Sequence, residues 1–329
     1  MIVTRSPAMN WQRATLALAL SAAAGSALAQ AYPSRPVRVI VPFASGGNTD
    51  LTARPLATKL GEAMGQSFLV DNRPGANTIV GAEITAKATP DGHTLLLAAQ
   101  NTLCINPYSY SKLPYDPNKD FAPIAMLTDY KYAWVARNSL PVKNIPEMVA
   151  YAKANPGKLS HASIGEGSSG HLAQILFEGM AGITMIHVPY KGNTPMIADL
   201  LGGNVDTATL GPATVMSLVK AGKVRILAMG SDKRLPEMPD MPTVAEAGYA
   251  GFTVGTWVGM VTQKAVPKPI IDRLNREINR ALQSPEVRQP VEGQMVTLGS
   301  GTPEDLAKRI AFEQERWSKV VKSINLKFD

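Results

Sequence analysis

Short apolar runs alternate along this chain with longer stretches in which apolar residues recur at helical spacing. Val37-Arg38-Val39-Ile40-Val41-Pro42-Phe43 reads as a buried strand, and 48–64 as a helix that Gly65 stops. The pattern then predicts a strand over 68–70, a helix over 78–88 and a strand over 94–98. After a proline-rich stretch, 107–123, the alternation resumes. Helices are expected over 145–154, 169–180, 194–201 and 216–221, and strands over 159–164, 184–188, 205–210 and 224–229. Two helical patterns, 269–283 and 303–323, close the chain.

Strands alternating with helices argue for parallel, doubly wound sheets, and two such series argue for two α/β lobes. The segments 132–136 and 254–260 fit neither series and are expected to be strands crossing between lobes. On that reading 30–131 and 256–329 form one lobe, 132–255 form the other, and two connections make a hinge with a cleft between them.

The first 29 residues are a separate object. Arg5 and Arg13 occur there without any acidic residue, a small-residue apolar run fills 14–24, and Ala27-Leu28-Ala29 follows. That is a positive region, a short apolar core and an A-x-A cleavage site. The apolar core is shorter than the about 20 residues that span a bilayer. A signal peptide over 1–29, cleavage near Gln30 and a periplasmic mature protein are therefore expected.

Composition narrows the chemistry. An apolar share of 45% against 18% charged residues supports a packed core rather than disorder. The single cysteine, Cys104, excludes an internal disulfide and reads as a small buried residue. Four histidines without HExxH or CxxC leave no metal site in view, and no cofactor is expected. Losing Arg5 and Arg13 takes the net charge from +7 to +5, which attracts anionic solutes only weakly. Export argues against ATP, NAD and nucleic acid as partners.

Two loops carry the strongest local signals. In Pro42-Phe43-Ala44-Ser45-Gly46-Gly47-Asn48-Thr49-Asp50 a strand ends, glycines turn the chain and a helix begins, with Asn48 or Asp50 as its cap. Ligands of open α/β sheets sit beyond the carboxyl ends of strands, where unpaired N–H groups favour anions. Pro55 falls inside this helix, so a late start or a bend is expected. The second loop, Ser163-Ile164-Gly165-Glu166-Gly167-Ser168-Ser169-Gly170-His171, contains GxGxxG. The dinucleotide reading fails because the next strand runs into Val188-Pro189-Tyr190-Lys191 without the acidic residue that would hold a ribose. What survives is a nest of amides with hydroxyls from Ser168 and Ser169. Together the loops are suited to hold the carboxylates of one ligand without buried Lys or Arg.

Other candidates are weaker. His171 with Ser168 or Ser169 suggests a base and nucleophile, but no GxSxG elbow is present, and a hydrogen bond from His171 to loop or ligand is the simpler role. Asp206, after Gly202-Gly203-Asn204, is placed at the cleft to read a hydroxyl or amine, or else stabilises a turn. Trp257 and Tyr190 are packing residues that also suit the wall of an aromatic ligand site.

An ordered set of motifs resembles a known family. Tyr32-Pro33-Ser34-Arg35-Pro36 leads into Val41 to Gly47, followed by Asp50, Gly65-Gln66, Asn72-Arg73-Pro74-Gly75-Ala76 and Pro90-Asp91-Gly92-His93-Thr94-Leu95. Then come His187-Val188-Pro189-Tyr190-Lys191-Gly192, Gly202 to Asp206 and Pro242-Thr243-Val244-Ala245-Glu246-Ala247-Gly248. Taken together they are similar to the Bug-type substrate-binding proteins of tripartite tricarboxylate transporters. The resemblance implies a two-lobed, type II-like Venus-flytrap protein that is not an enzyme, has no cofactor, is a monomer, and passes an organic carboxylate to membrane permease subunits. A di- or tricarboxylate or an aromatic acid suits it. The same resemblance places ligand contacts on Ser45, Gly46, Gly47 and Asn48, and on Gly165, Ser168, Ser169 and His171. Its third loop falls at Ala99-Gln100-Asn101-Thr102, where Gln100 and Asn101 depart from the usual glycine and hydroxyl residues and are expected as contacts to a different ligand. Thr209-Leu210-Gly211-Pro212 likewise lacks the aromatic and acidic residues often found after that strand. Alternatives are a periplasmic sensor for a membrane kinase and a secreted Ser/His hydrolase.

The leader gives the first prediction. Mass spectrometry of protein from its native host is expected to find a mature chain starting near Gln30 in the periplasmic fraction; retention of Met1 would contradict it.

Overall fold

The computed structural model describes residues 32–327 except 47, 191 and 324, and of Asn48 only the backbone. The expected signal peptide, its cleavage point, Gly47 and the Asn48 side chain lie outside the described residues.

The first series runs β1 (Val37–Val41), α1 (Asn48–Met64), β2 (Phe68–Asn72), α2 (Ile79–Ala86) and β3 (Thr94–Ala99). A π-helical turn, Asn101–Ile105, and a short helix, Asn106–Ser109, follow. The chain then enters β4 (Phe121–Lys131) and β5 (Ala133–Arg137). The second series is α3 (Ile145–Ala154), β6 (Ser160–Ser163), α4 (Ser169–Ala181), β7 (Ile186–Pro189), α5 (Asn193–Gly202), β8 (Thr207–Leu210), α6 (Pro212–Lys220) and β9 (Val224–Met229). The return consists of β10 (Gly255–Gln263), α7 (Lys268–Leu282), α8 (Pro285–Glu292), β11 (Thr297–Leu298) and α9 (Pro303–Ser323).

Two sheets result, one of six strands ordered β11-β4-β10-β3-β1-β2 and one of five ordered β7-β6-β8-β5-β9. The unbroken apolar run of β1 follows from cover on both faces. Val37, Val39 and Val41 pack with Leu56 and Leu60 of α1 and with Leu274 and Ile278 of α7. Ile40 points the other way, into a cluster with Ala82 of α2, Leu96, and Trp317 of α9. The second sheet repeats the division: Trp134 and Ala136 meet α3 and Phe177 of α4, while Ala133 and Val135 meet Met196, Leu200 and Val215 of α5 and α6. The architecture is thus the expected two-lobed α/β fold.

Three features differ from the sequence reading. Both sheets are mixed rather than wholly parallel: β10 runs antiparallel to β3 and β4, and β5 antiparallel to β8 and β9. A strand entering from the other lobe meets its new sheet from the opposite end, which imposes that direction. Secondly, the crossings fall at the first residues of 132–136 and 254–260, Tyr132 and Val254, rather than along the strands that follow: β5 lies in the second sheet and β10 in the first. Finally, β4 was hidden by Pro123 at the end of the proline-rich stretch. Pro123 sits opposite Val261 beside a register shift, a place where a strand tolerates a residue that cannot donate. α1 runs continuously through Pro55.

The crossings themselves are backbone contacts. Gly230 N–H donates to Tyr132 O at 2.7 Å, Val254 N–H to Gly230 O at 2.7 Å, and Tyr132 N–H to Val254 O at 3.2 Å. The segments approach so closely that a Cβ on Gly255 would lie 1.9 Å from Tyr130 O. Gly255→Ala is therefore expected to destabilise the fold by about 1–3 kcal/mol. Calorimetry showing an unchanged midpoint would refute this account of the crossing.

Candidate functional site

The amino-terminal loop is organised by a buried carboxylate. Asp50, 2% exposed, sits in the first turn of α1 and faces back toward its own loop. Its Oδ2 accepts from Gly46 N–H at 2.9 Å, from Ser45 Oγ at 3.2 Å and from Arg54 Nε at 2.8 Å, and its Oδ1 accepts from Asn72 Nδ2 at 3.0 Å. Gly46 takes φ 82°, which favours glycine. Burial alone would raise the Asp50 pKa, but the Arg54, Gly46 and Asn72 hydrogen bonds outweigh it and hold the carboxyl down at about 2. The Ser45 hydroxyl and Gly46 amide, expected to face a ligand, are thus both engaged with Asp50.

The loop after β3 is also drawn inward. Asn101 Nδ2 donates to Asn77 Oδ1 at 2.6 Å, Asn77 Nδ2 to Asn106 Oδ1 at 2.8 Å, and the Thr78 and Thr102 hydroxyls meet at 2.7 Å. This network secures a left-handed run, Ala76, Asn77 and Thr78 at φ 43°, 49° and 77°. Nothing in the sequence announces that run, because none of the three is glycine. Gln100 is buried at 3% exposure, and its Oε1 meets no donor among the described residues.

The Gly-Ser loop opens α4. Ser168 is its N-cap: its Oγ accepts from His171 N–H at 3.3 Å and donates to Gly165 O at 2.7 Å. Gly167, at φ 69°, donates its N–H to His171 Nδ1 at 3.1 Å. The His171 proton must then reside on Nε2, leaving an N–H donor on the outer edge of the ring. The opposing hydroxyl of Ser169 reaches the Tyr132 phenol, whose pKa burial pushes up to about 12 against this hydrogen bond. Ser169 and Gly170 are the first residues of α4, and their N–H groups have no intrahelical acceptor.

His171 stacks on His187 with centroids 3.7 Å apart and planes 9° from parallel. His187 Nε2 lies 2.7 Å from Ser163 Oγ. Desolvation, then the His187 neighbour, lowers the His171 pKa from 6.5 to about 4. Burial lowers His187 as well, against the pull of Glu166. Within the second sheet, His161 packs 4.5 Å from Trp134 and its pKa is pushed down to about 3, by burial first and by the other two histidines after it.

This arrangement does not support a serine nucleophile. The Nδ1 lone pair of His171 accepts an amide, Ser168 contacts the His171 backbone rather than its ring, and the Ser163 hydroxyl donates to Gly165 O.

The lobes meet beside these loops. Leu172 and Ile175 of α4 share one apolar cluster with Leu103 and Trp257 of the first lobe, and Arg316 of α9 donates to Thr253 O. α4 is thereby packed against the turn that follows β3. Asp206 stands apart. It precedes β8 instead of ending a strand, so it lies at the amino ends of β8 and β6, away from the loops. There Arg137 Nε donates to its Oδ1 at 2.9 Å, and Ser160 N–H and Oγ each donate to its Oδ2 at 2.9 Å. Its role is to tie strands together. Tyr190 donates to Asp199 at 2.6 Å, and Trp257 is fully buried in packing. Thr209 lies one residue before the end of β8, under Gly170, with its hydroxyl buried.

Residues 52–326 match the family described as tripartite tricarboxylate transporter family receptor. Among solved structures, Rpa4515 of R. palustris with adipate superposes with a TM-score of 0.80 at 34% identity, over 89% of this chain and 98% of that one. The periplasmic binding protein BugD gives 0.78 at 34% identity, over 90% and 100% of the two chains. MatC of Rhodopseudomonas palustris with bound malate gives 0.78 at 33% identity, over 88% and 100%.

The histidines generate a pH prediction. Folding depresses the pKa of His161 and His171 below 6.5, so below that pH the unfolded chain takes up protons that the folded chain refuses. Their contribution to stability is complete above pH 6.5 and is lost as pH falls toward 4 and then 3. Histidine NMR is expected to show both rings neutral at pH 6, with His171 as the Nε2–H tautomer; a charged His171 at that pH would exclude the Gly167 hydrogen bond.

Proposed function

This chain belongs to the tripartite tricarboxylate transporter receptor family, whose members are extracytoplasmic solute-binding proteins and not enzymes; from that premise we propose that it captures an organic carboxylate between its lobes and delivers it to the permease subunits of such a transporter. The observation that carries the ligand class is the first turn of α4. There the Ser169 and Gly170 amides and the His171 Nε2–H offer hydrogen bonds at the positive end of a 13-residue helix, next to the seam between lobes. No lysine or arginine lies in 44–48, 99–102 or 163–171, so an anion is held there by neutral donors. Arg54 pairs with Asp50 in the amino-terminal loop, while Glu166 leaves one carboxylate in the Gly-Ser loop itself. Adipate and malate, named with two of the solved relatives, set the scale of solute to be tried first.

The mechanism is a two-state hinge. Contacts available only when the lobes are closed favour that state, and ligand shifts the population toward it. The transporter then reads the closed form.

A thermal-shift screen of mono-, di- and tricarboxylates tests the reading. A true ligand at about 100 times its dissociation constant adds roughly 2.7 kcal/mol of stability. Ser168→Ala is expected to weaken binding and to cost about 1 kcal/mol of stability through the lost cap. The bound acid is expected to be recovered chemically unchanged. A screen in which no carboxylate raises the midpoint, or one that yields a product, would sink the proposal. Uptake into vesicles carrying the two permease subunits, dependent on added protein, tests the partnership.

A further inference from the structure

A chain of charged side chains ties both lobe crossings to α9. Lys131, the last residue of β4, has its Nζ 3.0 Å from Asp129 Oδ1, and Asp129 Oδ2 lies 3.7 Å from Arg309 Nη2 of α9. The same Arg309 nitrogen meets Glu313 Oε1 at 2.9 Å, Glu313 Oε2 faces Arg316 Nη1 at 4.0 Å, and Arg316 donates to Thr253 O. Lys131 immediately precedes Tyr132, and Thr253 immediately precedes Val254. Tyr132 and Val254 are bonded to each other where the chain crosses. The chain of charges therefore starts on the outgoing segment and ends on the returning one.

Local structure accounts for the alignment. Residues two apart on a strand share a face, which sets Asp129 beside Lys131. Arg309, Glu313 and Arg316 fall at i, i+4 and i+7, one stripe of α9. Leu306, Ile310, Trp317 and Val321 seat the same helix in the core of the first lobe, so the stripe is carried by a fixed element. Glu313 holds the middle of the chain. Its side chain is 2% exposed, and a buried carboxylate stripped of a cationic neighbour is left uncompensated, so it keeps both arginines in place. Arg316 also lies over the Trp317 ring, 5.1 Å from its centroid. The cavity these side chains border is about 20 Å³, room for about one water, so the chain has little slack on its inner side.

We propose that this chain of charges is a strap that fixes both crossings to the first lobe, so that lobe movement pivots on the second-lobe side of Tyr132 and Val254. Glu313 and Arg316 are then positioning residues for closure that never touch the ligand. The first lobe, α9 and the two crossing segments move as one body against the second lobe. This rests on the two-lobed clamp of the reading above and is independent of the ligand class.

Interlobe distances in the ligand-free protein supply the test. Spin labels are placed at Lys119→Cys in the first lobe and Lys158→Cys in the second, both exposed, while the buried Cys104 stays unlabelled. Dipolar spectroscopy then reads the distribution of distances between the lobes, and the thermal midpoint is followed in parallel. Arg316→Met and Glu313→Gln are each expected to widen that distribution by roughly half or more, since the released crossing admits orientations that the strap excludes. The double variant is expected to widen it no further than Arg316→Met alone, because the two residues are links of one chain. Leu200→Ala, which empties part of the second-lobe core, is expected to lower the midpoint and leave the width unchanged. An unchanged width in Arg316→Met overturns the proposal. So does equal widening in Leu200→Ala, which would make the effect one of lost stability, and so does additive widening in the double variant. If Glu313→Gln fails to fold, Arg316→Met, whose side chain is 23% exposed, carries the same test. No ligand enters the measurement, so failure of the strap leaves the carboxylate reading standing, and a carboxylate screen without a hit leaves the strap standing.

Discussion

The structure depends on three backbone segments hydrogen-bonded at the point where the chain passes between its lobes. Tyr132, Gly230 and Val254 exchange N–H···O bonds there, and Gly255 lies too close to Tyr130 O for any side chain. Buried peptide groups must be paired, and here each segment satisfies its neighbours. The outgoing and returning strands are thereby held in register, and Arg316 fastens the return through Thr253 O. Everything that faces the seam takes its position from this junction: β4 and β10 run from it into the first sheet, and β5 starts from it in the second.

The electrostatics of the site follow from burial. The loops 44–48, 99–102 and 163–171 hold no lysine or arginine. The start of α4 presents neutral amides instead, which avoid the cost of stripping water from a cation. Of the acidic groups in these loops, Asp50 is paired with Arg54, and Glu166 acts on His187. Asp50 is held ionised by Arg54, Asn72 and Gly46, so it shapes its loop rather than repelling a ligand. Desolvation lowers the pKa of all three histidines, helped by neighbouring histidines at His161 and His171 and opposed by Glu166 at His187. His171 accepts the Gly167 N–H inside its loop, a role that depends on its Nδ1 remaining unprotonated.

Much of this was readable along the chain. The helices at 48–64, 145–154 and 303–323 and the strand at 224–229 appear with the bounds their patterns predicted, because caps, stops and apolar spacing are local properties. The Gly-Ser loop and the start of α4 were equally plain, since glycine spacing and a serine cap state their own geometry. The ordered motifs identified the family, and with it the two-lobed fold.

What the sequence left open was settled by contacts between distant segments. β4 was masked by its proline, and only pairing with β10 shows where that residue is tolerated. The left-handed run at 76–78 has no glycine to announce it and is held by Asn101 and Thr102 from another loop. Asp206 looked like a cleft residue until strand polarity put it at the opposite end of the sheet, bonded to Arg137 and Ser160. Gln100, a candidate contact from the sequence, proved buried, with no donor to its Oε1 among the described residues. Sequence by itself determined most of the strands and helices, which loops turn on glycine into a helix start, and which family the chain resembles, because propensity and turn chemistry act within a few residues. The tertiary structure alone decided which polar groups are already satisfied and which face the seam, because a hydrogen bond across a hundred residues of chain leaves no trace in local spacing.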